Sequence, residues 1–344
     1  MLRQGGVPEV ARHLAFFLYG SHGSNGTVGS VRIARIKRSK LFKLSNFSNS
    51  QTFQTLKLFK LQTLLMPHLL NISIVLYNTP AEEWQPLVQE LLRSACVHRI
   101  YLVDNSPEPI SAELVRPLTA AANQTAERVQ VMATGKNLGY GAAHNKAIRE
   151  TIYDDLPYHL VINSDIQVTA EAIDNLLAVM QANPLIGQLL PRVVDSEGRE
   201  QYVCKLLPTP MDLIRRVVLG RHIESSARNA RFELRQLDHS KPINAPYLSG
   251  CFMLLRTEAL LKAGLFDERF FMYPEDIDLT RRIHRDYLTL YYPSETIVHA
   301  HRKASYHSPR MFVIHAANIV RYFCKWGWLF DAERRQMNLT TLPT

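Results

Sequence analysis

The chain reads as an α/β protein built on a mostly parallel sheet flanked by helices. Three observations carry that reading. Short apolar runs alternate with helical patterns from residue 71 to about 181, and such alternation lays strands side by side with helices on the faces. Several of the runs end in polar clusters, where an open parallel sheet binds its ligands. The 344 residues are 46% apolar, enough to bury a sizeable core.

Residues 71–77 (NISIVLY) form the first buried strand. Residues 79–83 (TPAEE) start a helix to about Ser94, with Pro and acids in its first turn. Residues 99–103 (RIYLV) are a second strand, followed by a helical pattern and a third strand at 129–132. The pattern from Gly139 to about Ile152 is helical, 158–162 (YHLVI) is a fourth strand, and Thr169 opens a helix to about Gln181. The second half is less regular. Residues 189–194 and 201–205 flank the turn 195–198 and predict a hairpin. Residues 211–235 are Arg-rich and irregular, and 247–256 hold the apolar strand CFMLL. A helix at 274–285, a strand at 289–292 and a last helix from Ser308 to about Phe330 complete the smaller second half. No internal repeat is present.

Charge narrows the function. The net charge is +9, yet residues 1–70 alone hold ten basic side chains and one acid, so the remainder balances. A neutral body gives no reason to expect nucleic acid as a partner. The four cysteines, Cys96, Cys204, Cys251 and Cys324, form no Cys-x-x-Cys pair and suggest a reducing compartment. No apolar run reaches the roughly 18–20 residues of a membrane span. Residues 1–65 contain no Asp and repeat Leu, Phe and Lys (LFKL, LKLFKL). They read as a basic leader outside the fold: a transit segment, an amphipathic stretch on an anionic membrane, or sequence upstream of a true start at Met66.

Three strand ends carry polar clusters: Tyr77-Asn78-Thr79, Asp104-Asn105-Ser106 and Asn163-Ser164-Asp165. One such Asp is commonplace in a turn or cap. Two in one sheet are harder to dismiss. Asp104 could accept hydrogen bonds from a nucleobase or ribose, and Asp165 could hold a divalent cation beside a diphosphate. Residues 135–141 (GKNLGYG) are no P-loop, because Gln130 and Asn137 stand where Gly and Ser or Thr are needed. They are no dinucleotide fingerprint either, because His144 replaces the third glycine. What remains is a glycine-rich turn into a helix that lets backbone approach a ligand, with Asn145 a further turn along. The segment 266–279 (FDERFFMYPEDIDL) sets acids among aromatics. Pro-Glu-Asp is an ordinary helix start, yet Asp276 could serve as a general base in a partly apolar pocket. His299 and His301 follow a strand with both rings on one face. A lone His there is more often structural; beside a carboxylate, one of them is a candidate ligand to the metal or diphosphate.

Residues 71 to about 305 resemble family 2 glycosyltransferases with the GT-A fold, most closely a bacterial rhamnosyltransferase-like branch. The pieces that carry the resemblance are SIVLYN, YLVDNS, NLGYGAAHN, VINSDI, YLSGCFMLLR, GLFDERFFMYPEDIDLTRRI and HAHRKAS, in that order. It implies an inverting transfer of a sugar from a nucleoside diphosphate donor to an acceptor hydroxyl. By it, Asp104 contacts the nucleoside with Tyr77 and Asn78 nearby, and Asn137, Gly139 and Asn145 shape the nucleotide pocket. Asn163-Ser164-Asp165 takes the Asp-x-Asp position: Asp165 binds Mg2+ or Mn2+, while Asn163 stands in place of the first acid. Asp276 of the Glu275-Asp276 pair is the base, and His299 or His301 completes the metal site. The implied organisation is a catalytic domain over 66–305, with a nucleotide half at about 71–195 and an acceptor half at about 196–305, then a helix and tail over 306–344.

The resemblance further implies a rhamnose donor and a saccharide or lipid-linked saccharide acceptor in cell-wall or O-antigen polysaccharide synthesis. The location expected is cytoplasmic, with peripheral contact to the inner face of the plasma membrane. The stripe Phe312, His315/Ala316, Ile319/Val320 and Phe323, with Arg310, Arg321, Lys325, Trp326 and Trp328, would make that contact; the alternative is a helix that covers the catalytic core. A sugar-phosphate nucleotidyltransferase is the rival, but 77–82 (YNTPAE) lacks the Gly- and Lys/Arg-rich loop it needs. Asp165, Asp276 and the histidines speak against an inactive carbohydrate-binding protein.

Overall fold

The computed structural model describes residues 68–121, 128–219, 226–300 and 309–342. The leader of residues 1–65, and His301, lie outside the described residues. Strand β1 (Leu70–Leu76) is buried along almost its whole length, as a central strand covered on both faces must be. Helix α1 (Ala81–Leu91) buries Trp84, Leu87, Val88 and Leu91 on one stripe. Then come β2 (Val97–Asp104), α2 (Ala112–Ala121), β3 (Val129–Ala133), α3 (Tyr140–Tyr153) and β4 (Tyr158–Ile162). After β5 (Ile166–Gln167), α4 (Ala170–Ala182) is capped by Thr169, whose hydroxyl accepts the Ala172 N–H at 3.2 Å.

The second half holds β6 (Ile186–Val194), β7 (Cys204–Lys205), α5 (Pro210–Leu219), α6 (Ala227–Phe232), β8 (Ile243–Asn244), β9 (Tyr247–Leu248), β10 (Phe252–Arg256), α7 (Thr257–Ala263), α8 (Glu275–His284) and β11 (Leu288–His299). Helices α9 (Pro309–Trp326) and α10 (Ala332–Thr341) follow. Among the described residues one nine-stranded sheet runs β3-β2-β1-β4-β10-β6-β11-β5, with β8 beside β11. The stretch β3-β2-β1-β4 is parallel. Strand β10 lies antiparallel between β4 and β6, and β11 is parallel to β6.

The structure corrects several expectations in the second half. The predicted hairpin turn forms, since Gln201 N–H donates to Val193 O at 2.9 Å. Its second arm then leaves, and β7 pairs with β9 instead, where Val203, Cys204 and Leu206 are buried in the main core. Residues 211–235 hold α5 and α6. Thr209 and Asp212 cap α5 reciprocally, each side chain accepting the other's N–H, at 3.3 and 2.8 Å. Strand β11 outlasts the predicted 289–292 because pairing with β6 resumes after an irregularity between Tyr292 and Thr296. The last helix ends at Trp326, and α10 was not expected. Finally, Ile319 and Phe323 of the predicted membrane stripe are buried with Phe270 and Ile277, so that part of the stripe covers the core.

Under β1 and β4 lies a buried polar network. Ser73 Oγ sits 2.6 Å from His144 Nδ1 and 2.8 Å from His159 Nε2, and Thr151 Oγ1 sits 2.6 Å from His159 Nδ1. Burial holds both imidazoles toward the neutral form, His159 down to about 3.

Candidate functional site

The parallel register pairs Leu76 at the end of β1 with Asp104 at the end of β2, so the loops that follow are neighbours. Tyr77 is half exposed. Asn78 is left-handed, with φ 50°, and its N–H donates to Ser106 Oγ at 2.8 Å. Asp104 is fully buried. Its carboxylate accepts the Ser106 N–H at 2.9 Å and the Ile110 N–H at 2.7 Å, so it shapes loop 105–110. Asn105 Nδ2 donates to Gly139 O at 3.0 Å and to Asn137 Oδ1 at 3.3 Å, and that same oxygen accepts the Gly139 N–H at 2.9 Å. Tyr77, Asn78, Asp104, Asn137 and Gly139 thus share one corner.

Asn145 is not part of that corner. It is buried and exchanges two hydrogen bonds with the Phe266 backbone, at 2.9 and 3.0 Å, while its Nδ2 also donates to Glu268 at 2.9 Å. Its amide holds the start of the 266–274 segment. Gly139 also serves that segment. Its φ of 87° and ψ of −176° suit glycine alone. A Cβ there would stand 2.1 Å from Phe271 O. The backbone that the glycine admits is therefore the chain's own, and Tyr140 N–H donates to Phe271 O at 2.9 Å.

Tyr140 escaped the sequence reading; its one signal is a bulky residue between two glycines at a helix start. The Tyr140 hydroxyl lies 2.9 Å from Asn163 Oδ1 and 2.7 Å from Gly250 O, and its single proton serves one at a time. Gly250 N–H donates to Asp276 Oδ2 at 3.0 Å, and Ile277 N–H donates to Asp276 Oδ1 at 2.8 Å. A path of close polar contacts therefore runs Asn163–Tyr140–Gly250–Asp276. Burial pushes the Tyr140 phenol well up, and Cys251, Glu275, Asp276 and Asp165 add to it. Burial also pushes the Cys251 thiol up to about 12, with Asp165 and Asp276 contributing. The two Asp residues thus act on the same pair of neighbours from different elements.

The pairing of β5 with β11 sets His299 opposite Ile166. His299 Nε2 lies 3.4 Å from Asp165 Oδ1. Gln201 Nε2 donates to His299 O at 2.9 Å, and Ser164 Oγ to Glu83 Oε1 at 2.7 Å. Among the described residues no three His, Cys, Asp or Glu side chains could hold a metal by themselves. One carboxylate and one imidazole still fit a hard cation that takes its other ligands from a diphosphate and water.

Glu275 is buried, and its Oε2 has no hydrogen-bond partner among the described residues. Burial, then the charge of Asp276, pushes its carboxyl well above the ordinary range. Burial raises Asp276 too, but the N–H groups of Ile277 and Gly250 and the Lys205 ammonium oppose it. Asp276 is the carboxyl of the pair better held in its ionised form.

Comparison with known proteins follows this geometry. Over 191 residues the chain is 32% identical to an N-acetylglucosaminyl-diphospho-decaprenol L-rhamnosyltransferase of Mycobacterium tuberculosis, covering 52% of this chain and 61% of the relative. Over 223 residues it is 26% identical to the low-salt glycan biosynthesis hexosyltransferase Agl10 of Haloferax volcanii, covering 64% of each. The chain thus spans less than two thirds of the length of these curated relatives. Among solved structures, GalNAc-T7 with UDP, GalNAc and Mn2+ aligns with a TM-score of 0.53 at 15% identity, over 76% of this chain and 48% of that one. That likeness shows the fold, a GT-A type. The model for Glycosyl transferase family 2 matches residues 72–264, more than half of the chain, and the chain belongs to that family.

Proposed function

We propose that this chain is a glycosyltransferase that moves a sugar from a nucleoside diphosphate donor to an acceptor hydroxyl with inversion. The observation that carries the reading is the path Asn163–Tyr140–Gly250–Asp276, which ties the base-bearing helix to the strand end bearing Asp165. The nucleoside belongs in the corner of Tyr77, Asn78, Asn137 and the loop shaped by Asp104. Asp165 and His299 would hold Mg2+ or Mn2+, with His301 a further candidate. When bound, such a cation neutralises charge growing on a leaving diphosphate. Asp276 takes the proton of the acceptor hydroxyl as it attacks. Glu275, pushed toward its protonated form, leaves Asp276 as the carboxylate that acts. One base and one displacement invert the anomeric centre; retention would require a carboxylate nucleophile as well.

The donor we propose is dTDP-rhamnose and the acceptor a lipid-linked diphosphosugar, in keeping with the mycobacterial relative's name. The direct test is turnover across dTDP-, UDP- and GDP-sugars with Mn2+. Turnover of dTDP-rhamnose supports the reading, and turnover confined to another donor refutes the rhamnose assignment.

A lipid-linked acceptor calls for a bilayer surface. No helix among the described residues is long and apolar enough to cross a membrane, but Phe312, Val313 and Val320 of α9 are exposed, and so are Trp328, Leu329 and Phe330 beyond it. Flotation with anionic liposomes should recover the protein in the lipid fraction; recovery wholly in the aqueous fraction at low salt contradicts peripheral contact.

A further inference from the structure

Helix α8 begins with Glu275 and Asp276, and farther along it Asp278, Arg281 and Arg282 all find charged partners. Asp278 is fully buried. Its Oδ1 accepts the Trp326 indole N–H at 2.8 Å and lies 2.6 Å from Lys325 Nζ, while its Oδ2 accepts Arg282 Nε at 2.9 Å. Arg281, also buried, donates to both oxygens of Asp331 at 2.7 Å and to Glu333 at 2.9 Å. The Trp326 ring covers the guanidinium at 4.0 Å. The partners outside α8 lie at the end of α9, on the turn that follows it and at the start of α10. Gly327, with φ 99°, ends α9, and its N–H donates to Phe323 O at 2.8 Å. Asp331 caps α10 by accepting the Arg334 N–H at 2.8 Å. Farther back along α9, Asn318 Nδ2 donates to Met272 O at 2.8 Å, and the His315 ring lies 4.8 Å from that of Tyr273. Residues 325–333 therefore grip the flank of α8, while α9 holds the segment leading into it.

Buried ion pairs hold a fold no better than apolar packing of the same shape, and their attested use is to fix a register. Here the fixed object is the helix that carries Asp276. We infer that residues 325–333 are a strap that sets the height and rotation of α8, and through it the distance from Asp276 to the acceptor hydroxyl. The inference rests on the reading of Asp276 as general base. Trp326 and Asp331 are positioning residues; neither touches a reacting atom.

The test uses Trp326→Phe, which keeps a ring over Arg281 and removes the N–H to Asp278, and Asp331→Asn, which keeps shape and removes charge. Each is measured alone and combined with Asp276→Asn, for kcat, donor KM and melting temperature in the full chain. Displacing a catalytic group by about 1 Å costs up to ~10²-fold, so each strap variant should lower kcat by about 10- to 10²-fold with donor KM unchanged. In the Asp276→Asn chain the same changes should lower kcat no further, and Asp331→Glu should recover part of the loss. Normal kcat in both strap variants overturns the inference. So does an equal loss with and without Asp276, which marks a structural role alone. If Asp331→Asn does not fold, Trp326→Phe decides. Unchanged kcat in Asp276→Asn by itself overturns the base assignment, and the strap's role with it.

Discussion

Asp104 and Asp276 are both carboxylates at the candidate site, and they are held by opposite means. Asp104 accepts backbone N–H groups from Ser106 and Ile110, two and six residues along its own loop. Asp276 accepts one N–H from its own helix and one from Gly250, 26 residues away, and its helix is gripped by Asp331, 50 residues on from Arg281. Asp104 is positioned by the backbone of its own loop, and Asp276 by a helix whose flank is held by residues brought from afar. Local scaffolds tolerate change elsewhere, whereas long-range ones transmit it, so the two carboxylates should respond differently to substitution.

The largest effect is expected on the metal side. Asp165→Ala should lower turnover by about 10³-fold and abolish its dependence on Mn2+ or Mg2+, because a cation at a diphosphate supplies several kcal/mol of charge stabilisation. A metal titration of the variant checks this; unchanged dependence would mean that another group binds the cation. Next is Gly139→Ala, at the close approach to the segment leading into α8. A residue with Cβ in that conformation costs about 1–3 kcal/mol, and the new methyl group meets Phe271 O. Denaturant unfolding should show at least that loss, together with weaker transfer, since the segment leading to α8 must move. Wild-type stability in this variant would refute the close approach.

A smaller effect belongs to the buried network under β1 and β4. His144 and His159 are buried neutral, His159 held to about 3, whereas an unfolded chain protonates histidine near pH ~6.5. Below that pH the unfolded state binds more protons. Stability should therefore fall as pH drops from about 6.5 toward the folded values, by up to ~1.4 kcal/mol per pH unit for each histidine. Urea unfolding at pH 7 and pH 5 measures this, and equal stability at both would mean that these imidazoles are already charged or solvated in the native protein.

The same contrast governs what could be read from the sequence. Strand β4, the helix opened by Thr169, and the Glu275–Asp276 helix start were legible because period, caps and turn residues act within a few positions. Tyr140 escaped because its partner Gly250 is 110 residues away. The sequence near Asn145 places it by the nucleotide and gives no sign that its amide engages a segment 121 residues on. The strap escaped for the same reason: an isolated Trp326 or Asp331 has no local signature, and nothing near Lys325 and Trp326 in sequence marks Asp278 as their partner. The Thr209–Asp212 cap was a local signal that the Arg-rich composition of 211–235 obscured.

The central claim is that Asp276 takes the acceptor proton while the donor is held elsewhere. Asp276→Asn keeps the shape and removes the basicity, so kcat and donor Kd measured on that one variant separate the roles. The account predicts a fall in kcat of about 10²–10⁴-fold with donor Kd unchanged. A near-normal kcat with a lowered melting temperature would contradict it, reducing Asp276 to a group that holds Gly250 and the start of α8.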